Sequence, residues 1–165
     1  MQGSYALPMG SPKHSGLDHV TIAVADLDGA KQFFGLLGFE ETASTVVSGE
    51  EMSRYMGIPD LEADHVTLVL TGAATHQEVQ LLRFHHPEIA DDPDESNLAR
   101  PGFNHVCLAV DDLDATLARL RDGGVRTRSE VMDFHDRRLV FLIGPAGVTV
   151  ELAEWTSSED DNGAT

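Results

Sequence analysis

Cysteine is almost absent from this chain of 165 residues: Cys107 is the only one. A single thiol excludes an intrachain disulfide framework and suits a reducing compartment. Basic residues are also scarce, with 11 Lys+Arg against 28 Asp+Glu, a formal net charge of −17. A surface of that sign repels phosphate backbones and anionic membranes, so nucleic acid is not the expected partner. No apolar run reaches the roughly 18 residues of a membrane span, and the N-terminal stretch has no signal-peptide core. These absences lead us to expect a soluble cytoplasmic protein. Aromatics amount to only 6%, yet 41% hydrophobic and 24% charged residues suffice for one cored domain, or two halves sharing a core. The first 15 residues show no periodicity, and residues 156–165 are short, polar and acidic, so both ends read as flexible.

What the chain does contain is a repeat. "GLDHVTIAVADLDGAKQFFGLLG" at 16–38 aligns without a gap on "GFNHVCLAVDDLDATLARLRDGG" at 102–124. His19 and His105, Asp26 and Asp112, and Gly38 and Gly124 occupy matching places. Each copy opens with strict alternation: Val20, Ile22 and Val24 on one face with His19, Thr21 and Ala23 on the other, then Val106, Leu108 and Val110 against His105, Cys107 and Ala109. Asp26 and Asp112 stand where a helix N-cap belongs. Leu27, Ala30, Phe34 and Leu37 follow at helical spacing, as do Leu113, Leu117 and Leu120, until glycine ends each helix.

Three strand-like segments follow each helix: 39–48, 65–72 and 78–84 in the first half, 125–132, 137–144 and 148–155 in the second. The expected fold is α+β, two tandem βαβββ modules of curled mixed sheet around a central metal cavity. The modules span 16–84 and 102–155, and the Pro- and Asp-rich stretch 85–101 joins them. Only the first carries an extra segment, "GEEMSRYMGIPDL" at 49–61, within which 52–57 reads as a short helix over the site.

The final strands, "VQLLRF" and "VELAEW", align with Gln80 opposite Glu151. Each half thus offers a histidine near the start of its first strand and an oxygen donor on its last. Related by a pseudo-twofold axis, with curled sheets and neighbouring first and last strands, the halves would gather His19, Gln80, His105 and Glu151. Two imidazoles, a carboxylate and an amide oxygen suit a divalent Zn, Ni, Co, Mn or Fe(II) ion with positions left open for substrate. Taken singly, residues of these types are more often hydrogen-bonded or solvent-facing polar groups than ligands. The recurrence at matching places is what points to a metal.

The two "HVxxAVxDLD" copies, the paired βαβββ reading and the terminal "VELAEW" resemble the vicinal oxygen chelate superfamily, the glyoxalase/bleomycin-resistance/dioxygenase group, over about residues 16–155. The resemblance implies a divalent metal that chelates vicinal oxygens of a substrate, held by His19, Gln80, His105 and Glu151. This set is similar to that of the methylmalonyl-CoA epimerases. It further implies a lyase or isomerase that polarises a substrate carbonyl and stabilises an enolate-like intermediate. Glu151 is the expected base, with Glu50 and Glu51 of the extra segment as alternatives. A homodimer is implied as well.

Two other activities share the framework. An extradiol dioxygenase would hold Fe(II) on His19, His105 and Glu151 and draw acid-base partners from His65, His135 and Tyr55. A metal-free binding protein of the bleomycin-resistance kind would need none of the four ligands. For substrate contacts, Arg126, Arg128, Arg137 and Arg138 belong to the seven basic residues from Arg100 onward, and arginine can clamp carboxylate or phosphate. Arg137, Tyr55, Cys107 and His135 are the candidate substrate-binding residues, Cys107 because it shares a strand face with His105.

Overall fold

The computed structural model describes residues 16–156; the expected flexible N-terminus and nearly all of the acidic tail lie outside it. Eight strands and three helices follow in the order β1 (Val20–Ala23), α1 (Leu27–Leu36), β2 (Phe39–Ser48), α2 (Glu50–Met56), β3 (Glu62–Leu70), β4 (Glu78–His86), β5 (Val106–Ala109), α3 (Leu113–Asp122), β6 (Met132–Phe134), β7 (Arg137–Ile143) and β8 (Thr149–Trp155). No helix among the described residues is long and apolar enough to cross a membrane.

The repeat is structural. Each module is a four-stranded sheet, ordered β1-β4-β3-β2 in the first and β5-β8-β7-β6 in the second. The first strand pairs parallel with the last, and the other pairs are antiparallel. Within the described residues the sheets stay separate and do not close into one. Asp26 caps α1 by accepting from the Gly29 amide at 2.9 Å, and Asp112 caps α3 by accepting from Ala115 at 2.8 Å. These short acids compete for free helix-start amides, which is why both helices begin one residue after them.

Burial follows the alternation. Ile22 and Val24 point into the core while Thr21 and Ala23 stay exposed. Ala30, Phe33 and Phe34 of α1 and Leu113, Leu117 and Leu120 of α3 pack onto the same faces, so one apolar cluster spans both modules. The helices are the hinge of this contact. Arg119 Nε donates to the Leu36 carbonyl at 2.7 Å, and a Cβ at Gly123 would lie 2.3 Å from Leu36 Cδ1, so a larger residue there would have to push the Leu36 side chain aside. With the helices on one side of each sheet, the opposite faces, which carry the paired polar residues, are left open.

Several boundaries differ from the sequence expectation: β3 begins at Glu62 rather than residue 65 and ends at Leu70, and α2 begins at Glu50 rather than residue 52. His85 and His86 continue β4 rather than opening the connection. The segment 125–132 does not form a strand: a lone bridge joins Thr127 to Leu142, and regular pairing starts only at Met132. Ser129 explains the interruption. Its Oγ accepts from the Phe141 amide at 2.9 Å, taking the place of a ladder carbonyl, while the Phe141 carbonyl receives both Arg128 N and Ser129 N.

Candidate metal and substrate site

Parallel pairing of first and last strands sets Thr21 beside Gln80 in one module and Cys107 beside Glu151 in the other. The registers are equivalent, so the two histidines and the two oxygen donors fall at corresponding points of corresponding sheets. In each module the residue before the histidine holds its ring. Asp18 Oδ2 lies 2.7 Å from His19 Nδ1, and Asn104 Oδ1 lies 2.8 Å from His105 Nδ1. The Asn104 amide is itself oriented by donating to the Leu98 carbonyl at 2.6 Å. With Nδ1–H given to these oxygens, each imidazole presents the lone pair of Nε2.

In the second module that lone pair meets a carboxylate: His105 Nε2 and Glu151 Oε2 are 3.3 Å apart. An imidazole nitrogen facing a carboxylate at this distance is satisfied by a proton on the ring or by a cation between them. Cys107 flanks the pair. Partial desolvation of this otherwise exposed residue, followed by the neighbouring Glu151 carboxylate, pushes its thiol up to about 12, so it is a neutral thiol rather than a thiolate. Phe141 packs edge-on against the His105 ring with centroids 5.2 Å apart.

In the first module Gln80 is oriented from both ends. Its Nε2 donates to Glu78 Oε1 at 2.7 Å, which leaves Oε1 to receive His65 Nε2 at 2.9 Å and the Thr21 hydroxyl at 3.3 Å. The Gln80 amide and His76 together hold the Glu78 carboxyl below its ordinary range. His65, which sits across the sheet from Leu82, thus joins Gln80 directly. Sequence reasoning placed His65 only in the dioxygenase alternative. The β3–β4 register, which sets Thr67 rather than His65 opposite Gln80, is what brings it diagonally into reach.

His19, Thr21, His65 and Gln80 line one cavity of about 430 Å³, walled by Val47, Leu82 and Phe84 and by Met52, Tyr55 and Met56 of α2. No residue of the second module lines it. Among the described residues, no three His, Cys, Asp or Glu side chains converge as a metal site within the single chain. The chain therefore holds two pairs, His19 with Gln80 and His105 with Glu151, on separate sheets.

The remaining candidates scatter. Tyr55 belongs to the cavity wall. Glu50 lines a different cleft of about 940 Å³ across α2, with Arg54, Asp60, Glu62, His85 and His86. Glu51 is exposed and lines neither. Arg137 stacks on Trp155, its guanidinium carbon 4.7 Å from the ring centroid, and shares the face of Glu151 through the β7–β8 pairing. Cys107 shares that face. His135 occupies the β6–β7 turn with φ of 56°, against Phe134 and away from the pair.

A sequence model of the Glyoxalase/Bleomycin resistance protein/Dioxygenase superfamily matches residues 18–141. A probable lactoylglutathione lyase of Synechocystis sp. is 27% identical over 144 residues, covering 86% of this chain and 97% of that protein. Human mitochondrial methylmalonyl-CoA epimerase is 28% identical over 145 residues, covering 84% and 73%. Among solved structures, a glyoxalase family protein from Bacillus cereus superposes with a TM-score of 0.80 at 27% identity, over 91% of this chain and 100% of that one.

Proposed function

The chain belongs to the glyoxalase/bleomycin resistance protein/dioxygenase superfamily, and from that premise we propose that it is a metal-dependent lyase or isomerase working at a carbon next to a carbonyl. The observation that carries this reading is the duplicated pair: a Nδ1-anchored histidine and an oxygen donor at equivalent register in both modules. His19, Gln80, His105 and Glu151 would hold a divalent ion of the Zn, Ni, Co, Mn or Fe(II) group. Such an ion, when bound, polarises a substrate carbonyl and acidifies the neighbouring C–H. Because Gln80 is neutral, this set leaves more positive charge at the centre than two carboxylates would. Glu151 takes the substrate proton, with the neutral Cys107 thiol beside it in the strand register. The relatives' names, a lactoylglutathione lyase and a methylmalonyl-CoA epimerase, fit carbonyl substrates of this kind.

Since neither module alone supplies four ligands, the reading calls for two copies. Among the described residues β1 and β5 are sheet edges with no strand on their outer side, and the open face of the second module exposes Met132, Phe134 and Trp155 at 54%, 45% and 57%. Setting β1 of one copy against β5 of another in a twofold homodimer would extend each sheet and bring His19 and Gln80 to the partner subunit's second module. Metal analysis and light scattering of protein purified without chelator, with deuterium exchange alpha to a carbonyl, test this directly. One divalent ion per chain in a dimer that exchanges the proton is expected; a metal-free monomer inert to exchange would sink it.

One contact favours a second reading. Gln80 Oε1 already receives His65 and Thr21, which suits an Fe(II) dioxygenase using His19, His105 and Glu151 alone, with His65 as its acid-base group. Oxygen uptake on a catechol distinguishes the two.

A further inference from the structure

Substrate class follows from what surrounds the Gln80 pair. We infer that the cavity of the first module accepts the uncharged, apolar body of a vicinal dioxygen compound, and that a polyanionic thioester is excluded from it; this rests on the metal-dependent reading above. The floor of the cavity is polar, formed by His19, Thr21, His65 and Gln80, whereas its walls are hydrocarbon, thioether and aromatic. Among the described residues, no Lys, Arg, Asp or Glu lines it. That division suits a molecule with hydrogen-bonding oxygens at one end and nothing ionic at the other.

None of the cations among the described residues lines that cavity. In the first module, Lys31 pairs with Glu41 at 2.6 Å, Arg83 lies 3.8 Å from Asp64, and Arg54 faces the polar cleft on the far side of α2. In the second, Arg138 is taken by Asp114 and Glu154 at 3.0 and 2.9 Å. Arg137 remains on the open face, stacked on Trp155. With Arg126, Arg128 and Arg137 all outside the cavity lining, nothing there offsets the phosphates of a coenzyme A tail against a formal charge of −17.

The wall is a dedicated part. Met52, Tyr55 and Met56 come from α2, the segment that the second module lacks, and none of the helix's residues is buried. Tyr55 remains 83% exposed, so folding does not account for its place over the opening. A ligand body would cover the ring and the two flexible thioethers together.

The test uses the full chain supplied with Mn(II) and titrated by calorimetry with 1-phenyl-1,2-propanedione, a neutral aromatic diketone, and in parallel with methylmalonyl-CoA. The diketone should bind, and Tyr55→Ala and Met52→Asp should each weaken it about tenfold without lowering Tm, while methylmalonyl-CoA binds at least tenfold more weakly than the diketone. Tight methylmalonyl-CoA binding with no diketone binding overturns the inference and leaves the metal reading standing. Diketone binding indifferent to both substitutions also overturns it. Mn(II) titration of the same samples reports separately on the metal reading: failure of the ion to bind removes that reading whatever the diketone does, and failure of both ligands removes the inference.

Discussion

The two modules share a register and differ in what surrounds it. Thr21 and Gln80 in one correspond to Cys107 and Glu151 in the other, and Asp18 corresponds to Asn104 as the anchor of its histidine. Around these constants the first module adds α2 and places His65 where the second has Leu139. It uses a neutral oxygen donor, and the second supplies the carboxylate. The coordinating positions are thus tied to strand pairing, which a duplication copies whole, whereas access and polarity depend on side chains and insertions that each copy changes alone. One module is built to enclose, the other to carry charge.

The sharpest way to break the comparison is through the core, where the modules ought to be equal. Leu81 and Leu152 follow Gln80 and Glu151, and both are fully buried. Leu81→Ala and Leu152→Ala should each cost about 3 kcal/mol in urea melts; a gap of more than about twofold between them would mean that one half alone holds the fold together. The ligands should be unequal. Glu151→Ala is expected to lower divalent-metal affinity on the order of 100-fold, and Gln80→Ala nearer tenfold, in competition with a fluorescent chelator. Equal losses would contradict the division between neutral and charged donors.

Smaller effects sharpen the same contrast. Asp26→Ala and Asp112→Ala should each destabilise by about 1 kcal/mol, since each removes one helix cap. Cys107 in metal-free protein should react with iodoacetamide at least about 100-fold more slowly than a free thiol at pH 8, because its pKa is pushed up to about 12; a fast reaction would dissociate it from Glu151. Least is expected from the Arg138 guanidinium, which keeps the Asp114 carboxyl below its ordinary value of 3.8. A depressed carboxyl contributes stability above that value and loses it as pH falls through the lower folded one. Arg138→Gln should therefore shift only the acid limb of the stability profile, measured by urea melts at and below the ordinary carboxyl range.

Much of this was legible in the residues. Alternation in 19–24 and 105–110 marks strands because a half-buried sheet demands period two, and Asp26 and Asp112 mark helix starts because they satisfy free amides. The segment 125–132 read as a strand but is broken by a hydroxyl that competes with the ladder, a contact between Ser129 and Phe141 with no local signature. His65 reaches Gln80 through a diagonal across two strands, visible only once their register is known. The separation of the histidine pairs was hidden most deeply. A repeat states that two places are alike and is silent on whether they meet within one chain.

Gly49 and Gly57, with φ of 93° and 69°, bracket α2, and nothing between them enters the core. The panel can therefore swing, be exchanged or mutate with little penalty to the rest of the molecule. Selection for a new compound would act there first, leaving the coordinating strands as inherited.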